Sequence, residues 1–296
     1  MTAPLLNISG KVDPSLANLC AIVAGCATQL QIPYLVVGAS ARDMVLHYGY
    51  GAKIQRATAD IDFALQVPTW DAFTALRKEL IANNFSETRK AHCLIGSNNF
   101  PIDIIPFGDL ADQDANIQWP PSGDIIMNVL GFQEALNNAN TVRLSDTPIL
   151  DVPVASPEGM AILKFISWTD RAQDMRGRDA KDIAYLLTTY ENIPAVSDQL
   201  YREATLMELY GWDITLASAH QLGINVKQIT LPQTYNVISE VLNKQHPKLP
   251  LERLLNEMGG NTAQQYARNE ALINAFSAGL TKAAIQRATN NETRSK

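Results

Sequence analysis

Three aspartates stand in apolar runs where a plain core strand would carry none. Asp60 and Asp62 lie in Thr58-Ala59-Asp60-Ile61-Asp62-Phe63-Ala64-Leu65, and Asp103 lies in Pro101-Ile102-Asp103-Ile104-Ile105-Pro106-Phe107. Residues two apart on a strand project to one face, so Asp60 and Asp62 stand side by side while Ile61 and Phe63 turn the other way. Adjacent carboxylates repel unless a cation neutralises them. Hard oxygen ligands completed by water and phosphate oxygens suit magnesium. A bare Asp-x-Asp favours the blander reading of a solvated face at a strand's end. Asp103 shifts that balance, because an unpartnered polar group in an apolar strand costs on the order of 2–7 kcal/mol. A neighbouring strand that sets Asp103 beside Asp60 and Asp62 would hold two metal ions, roughly 3.5–4 Å apart in such sites.

A second group precedes these carboxylates. Tyr34-Leu35-Val36-Val37 is a strand-like run ending at Gly38, with Ser40, Arg42 and Asp43 immediately after it and a helical stretch expected over Asp43 to Tyr48. A glycine at a strand-to-helix junction lets backbone approach a ligand, and free N–H groups at a helix start suit phosphate. Alone, Gly38-Ala39-Ser40 reads as a tight turn. Arg42 has two readings, as a cation for phosphate or as the partner of Asp43 or a core carboxylate.

Together, Gly38-Ala39-Ser40-Ala41-Arg42-Asp43, Asp60-Ile61-Asp62 and the strand aspartate Asp103 resemble the nucleotidyltransferase superfamily related to DNA polymerase beta. The first of these is similar to the Gly-Gly-x-x-Arg-Asp signature of tRNA nucleotidyltransferases. The fuller pattern, over about residues 30–190, is similar to the AbiEii type of bacterial nucleotidyltransferase toxins. Ala39 departs from it, standing where that pattern usually has Gly or Ser. The resemblance implies that Lys164 faces nucleotide phosphates and that an acidic residue, best matched by Asp182, lies near the Lys164 helix. By sequence alone, Lys164 in a helix otherwise apolar nearly all round either snorkels outward or meets an anion. Asp179 reads as a surface ion pair with Arg178 or Lys181, and Asp182 as either that or part of the site.

The elements that must position these residues follow from periodicity. Asp13 and Pro14 start a helix carrying Leu16, Leu19, Cys20 and Val23, and Thr69 or Asp71 starts another carrying Phe73, Leu76 and Leu80. His92 to Ile95 and Ile102 to Ile105 read as strands joined by Gly96-Ser97-Asn98-Asn99. Gly108 to Asp124 reads as loop, and Val142 to Leu144 and Ile149 to Val154 as short strands. Ser156-Pro157 starts the Lys164 helix, which runs to Trp168. Arg171 to Arg178 reads as a charged loop before a helix over Asp179 to Tyr190. The expected fold is α+β: a mixed nucleotidyltransferase sheet with helices on one face over residues 1–152, then a mainly helical C-terminal domain over 153–296 with a disordered tail at 287–296.

Composition sets outer bounds. At 296 residues, 46% hydrophobic and 18% charged, the chain is an ordinary globular protein with a sizeable core. No apolar run approaches the ~20 residues that span a bilayer, and the start lacks a signal-peptide pattern, so a cytoplasmic location is expected. Three cysteines without metal spacing or disulfide density, and four histidines without a ligand motif, point away from zinc and cystine scaffolds. A net charge of −6 argues against a general polyanion-binding surface but leaves room for a local basic groove.

The resemblance implies a magnesium-dependent transfer of a nucleoside monophosphate from a nucleoside triphosphate to an acceptor hydroxyl. Asp60, Asp62 and Asp103 would hold two magnesium ions, with Asp103 helping to activate the hydroxyl. Gly38 and Ser40 would cradle the phosphates, and Lys164 and Arg42 would neutralise them. The acceptor would be an RNA 3′ end or a protein side chain, and a cognate antitoxin is the expected partner. The competing readings are a nucleotide-binding or partner-binding protein of the same fold, and a metal-dependent phosphohydrolase, against which the absence of a His-Asp metal motif counts.

Overall fold

A computed structural model describes residues 5–55, 58, 60–260 and 262–281, so the tail expected at 287–296 lies outside the described residues. Ten strands occur among them: β1 (Leu6–Asn7), β2 (Tyr34–Val37), β3 (Ile61–Gln66), β4 (Ser86–Glu87), β5 (Cys93–Ile95), β6 (Pro101–Phe107), β7 (Asn116–Gln118), β8 (Ile126–Asn128), β9 (Asn140–Asp146) and β10 (Ile149–Val154). Eight form one mixed sheet in the order β1-β9-β10-β2-β3-β6-β5-β4, and β7 and β8 form a separate hairpin. β3 lies antiparallel to β2 and parallel to β6, so the strands with the key glycine and aspartates are neighbours at the sheet's centre.

The helices of the first half are α1 (Pro14–Gln29), α2 (Gly38–Arg42), α3 (Trp70–Ala82) and α4 (Phe132–Asn137). After β10 every described regular element is helical: α5 (Pro157–Asp170), α6 (Gln173–Thr189), α7 (Pro194–Glu203), α8 (Thr205–Leu209), α9 (Ile214–Ile229), α10 (Pro232–Leu242), α11 (Leu251–Glu257) and α12 (Ala263–Thr281), with one 3-10 turn at Tyr190–Asn192. The starts expected from capping residues occur where side chains satisfy free backbone donors. Ser15 N–H donates to Asp13 Oδ1 at 2.7 Å, Ala72 N–H to Thr69 Oγ1 at 3.3 Å, and Gly159 N–H to Ser156 Oγ at 3.2 Å.

Four expectations need correction. The helix after Gly38 begins at that residue, and Asp43–Gly49 continues it as a π-helix. The opening segment, where no regular element is expected ahead of the helix starting at Asp13, contributes β1, parallel to β9. The stretch read as loop contains β7, and Trp119-Pro120-Pro121 lies in the link to β8. Finally, α6 starts at Gln173, so Arg171 to Arg178 is mostly helix. The last discrepancy has a tertiary cause: Arg176 is buried with its guanidinium 6.0 Å from the Trp168 ring and 3.7 Å from Glu257, contacts that no local pattern announces.

Buried residues from Ile8 to Leu280 form one hydrophobic cluster. At its far end α9 and α12 touch backbone to backbone. A Cβ on Gly223 would lie 2.1 Å from the Phe276 carbonyl oxygen, and one on Gly279 would lie 2.0 Å from that of His220. Phe276 also stacks on Phe165 of α5 at 5.3 Å between ring centroids. Among the described residues no helix is long and apolar enough to cross a membrane.

Candidate active site

One row of residues crosses four strands. Val37 of β2 pairs with Asp62 of β3, Asp62 with Asp103 of β6, and Asp103 with Cys93 of β5. Gly38 follows Val37 with φ +69°, and a Cβ there would stand 1.9 Å from Asp62 Oδ2. A side chain at 38 and the Asp62 carboxylate therefore compete for one volume, and glycine also meets the left-handed backbone at little cost. Asp60 lies just before β3, not within it, and its carbonyl accepts a hydrogen bond from Ser40 Oγ at 2.8 Å.

These residues border a cavity of about 490 Å³. Gly38, Ala39, Asp60, Asp62 and Asp103 line it from the sheet side of the sequence, and Lys164, Ser167, Arg171, Met175 and Arg178 from α5, α6 and the turn between them. Ile105, Met127, Phe132 and Leu163 add apolar surface. Ser40, Arg42 and Asp182 are not among the lining residues. The Ser40 hydroxyl is engaged by the Asp60 carbonyl.

Charge crowding is concentrated on Asp62. Burial first, then Asp60 and Asp103, push its pKa from 3.8 up to about 7, against the opposing pull of Lys164 and Arg171. The donors are all carboxylate oxygens, the chemistry hard divalent cations take, and a cation would relieve that crowding. Among the described residues, however, no group of three or more His, Cys, Asp or Glu is gathered tightly enough to hold a metal ion, so the expected three-carboxylate cluster is not closed.

Behind the cavity runs a chain of alternating charges. Arg42, 2% exposed, donates to Asp43 Oδ1 from Nε at 3.0 Å and Nη2 at 2.8 Å, and to Asp182 Oδ1 from Nη1 at 2.8 Å. Asp182 Oδ2 is 2.8 Å from Lys164 Nζ, which donates to Asp179 Oδ1 at 3.0 Å. Arg171 Nη1 comes within 3.2 Å of Asp179 Oδ2 without the alignment of a hydrogen bond. Asp43 receives a further hydrogen bond from Thr58 Oγ1. Burial pulls the Lys164 pKa down, but Asp179 and Asp182 outweigh it and hold the ammonium above its usual value.

Two expectations change accordingly. Arg42 takes the second of its two readings: it is enclosed by Asp43, Asp182 and Gln55 and does not face the cavity. Asp179 is fully buried and pairs with Lys164 and Arg171, because the helix that carries it packs against α5, whereas a surface pair would face water. Sequence reasoning missed Ser167, Arg171 and Arg178 as cavity residues. The signal was there for the first two: Lys164, Ser167 and Arg171 stand at i, i+3 and i+7, one face of a helix and its cap.

A family model described as nucleotidyl transferase AbiEii toxin, Type IV TA system, matches residues 34–269. No curated protein matches the chain. Among solved structures, the solution structure of the antibiotic-resistance factor ANT(2″)-Ia is similar at 11% identity over 68% of this chain and 98% of that one, with a TM-score of 0.33. The crystal structure of ANT(2″)-Ia in complex with adenylyl-2″-tobramycin is similar at 13% identity over 59% and 88%, with a TM-score of 0.33. The Thermotoga maritima CCA-adding enzyme complexed with tRNA is similar at 14% identity over 92% and 80%, with a TM-score of 0.25.

Proposed function

Because this chain belongs to the AbiEii nucleotidyltransferase toxin family, we propose that it moves a nucleoside monophosphate from a nucleoside triphosphate to an acceptor hydroxyl, with magnesium, as the cytoplasmic toxin of a toxin-antitoxin module. The observation that carries this reading is the strand register that sets Asp62 against Asp103 beside the cavity, with Gly38 laid on the Asp62 carboxylate.

Asp60, Asp62 and Asp103 are the residues that would hold magnesium. When bound, that ion offsets phosphate charge and makes a hydroxyl a better nucleophile. Asp103 accepts the proton of the acceptor hydroxyl. Gly38 and Ala39 offer backbone without bulk where the phosphates lie. An ammonium has three N–H donors, and Asp179 and Asp182 engage Lys164 on two sides. The third is left for phosphate, on a side chain whose direction the two carboxylates fix. Arg171 and Arg178 supply further positive charge as pyrophosphate departs. Arg42 and Asp182 act through Lys164, as parts of the chain of charges that holds it.

The acceptor is an RNA 3′ end or a protein hydroxyl, and one experiment separates the two. The purified protein is incubated with magnesium, each α-³²P-labelled nucleoside triphosphate in turn, and total bacterial RNA or protein lysate, with Asp62→Ala alongside. Label on an RNA or a protein band, absent with the variant, is the expected result and names the acceptor class. Full labelling by a folded Asp62→Ala protein would overturn the assignment of the carboxylates.

A further inference from the structure

We propose that Ser167 is the residue that tells one nucleobase from another, its hydroxyl reading a base edge at the apolar part of the cavity. This rests on the nucleotidyltransferase reading and deepens it.

The cavity is lined by two kinds of surface. Asp60, Asp62, Asp103, Lys164, Arg171 and Arg178 are charged, and suit metal and phosphates. Ile105, Met127, Phe132, Leu163 and Met175 are apolar and suit a flat heteroaromatic ring. Phe132 is held in place by Phe107, with ring centroids 5.6 Å apart. A base buried against such side chains still carries donors and acceptors on its edge, and each left unpaired weakens binding. Among the described lining residues only Thr58 and Ser167 have uncharged polar side chains. The Thr58 hydroxyl is already donated to Asp43. Ser167 has no such commitment among the described residues: its carbonyl accepts the helical bond from Arg171 N–H at 3.0 Å, while its hydroxyl has no partner.

Position on the helix says which part of a nucleotide that hydroxyl meets. Ser167 lies one turn from both Leu163 and Lys164 on α5, and so stands between the apolar and the charged lining. Lys164 and Arg171 flank it with positive charge, which places it where a base leads into the charged part of the nucleotide. A hydroxyl both donates and accepts, so it distinguishes bases by the group each presents at one edge position. One neutral hydrogen bond is worth about tenfold in affinity at the upper end of its range.

The test measures equilibrium binding of ATP, GTP, CTP and UTP with magnesium to the full chain and to Ser167→Ala and Ser167→Thr, with label transfer from each nucleotide in parallel. The expected result is a spread of about tenfold among the four Kd values for the unaltered chain, narrowing to within about threefold in Ser167→Ala and restored in Ser167→Thr. An unchanged spread in a folded Ser167→Ala protein, an equal loss for all four nucleotides, or no spread at the outset would overturn the proposal. Selective binding that depends on Ser167 with no transfer would uphold it and sink the transferase reading instead.

Discussion

Two residues at the centre of the sheet make opposite demands on stability. Gly38 must remain without a side chain: in Gly38→Ala the new Cβ would meet Asp62 Oδ2 at 1.9 Å, and a left-handed φ of +69° costs an alanine roughly 1–2 kcal/mol. Label transfer is expected to fall at least about 100-fold, since a 1 Å displacement of a reacting group costs that much, and urea denaturation would register the lost stability. Asp62 is the reverse case, a residue that weakens the metal-free fold. Its carboxyl is raised from 3.8 to about 7, so the folded chain keeps a proton that the unfolded chain releases. Stability from this group is full below about pH 4 and is lost as pH rises through 7. In chelator, Asp62→Asn is therefore expected to match the unaltered protein near pH 4 and exceed it at pH 8, with a ceiling of roughly 4 kcal/mol. Magnesium should reverse the order by stabilising only the chain that keeps its carboxylate, which thermal melts with and without the ion would show. Asp62 and Asp103 were legible in the sequence because charge inside an apolar strand is costly and calls for a reason. Which core carboxylate Arg42 would meet was not, because its partner Asp182 is 140 positions away and only the fold joins them.

At the scale of elements, α5 and α6 are held together by the charges they share. Lys164 of α5 lies between Asp179 and Asp182 of α6, and Arg42 ties the same Asp182 to α2. Removing one partner from a buried ion group strands the others, at about 3–5 kcal/mol. Lys164→Ala should accordingly lose stability as well as transfer, leaving two buried carboxylates to repel each other. Lys164→Ala combined with Asp179→Asn should regain part of the stability and none of the transfer. Chemical denaturation and label transfer on the same preparations would separate the two effects; a rescue of activity by the second substitution would refute the phosphate-facing role. The start of α5 was readable from Ser156 and Pro157, which satisfy local donors and set local angles. The start of α6 was hidden because Ala172 provides no side-chain cap and Arg176 is stabilised by Trp168 and Glu257, contacts made across the fold.

For the whole molecule, the sheet order could not be read from the strands alone, since β1 and β10 join it through parallel pairings with β9 and β2 that local pattern does not specify. The helical half was legible as helices and silent about what they do. Its last described member, α12, reaches the helix that carries Lys164. The glycine crossing of α9 and α12 brings Phe276 onto Phe165, the neighbour of Lys164, yet the family match ends at residue 269, part way along α12. A chain cut at 269 is expected to lose cooperative unfolding in thermal melts, and Gly279→Leu in the full chain to approach the same behaviour. A stop codon at position 269 would then silence the gene as well as one placed far upstream of it: the lesion would spare Asp60, Asp62, Asp103 and Lys164 and still be a null allele.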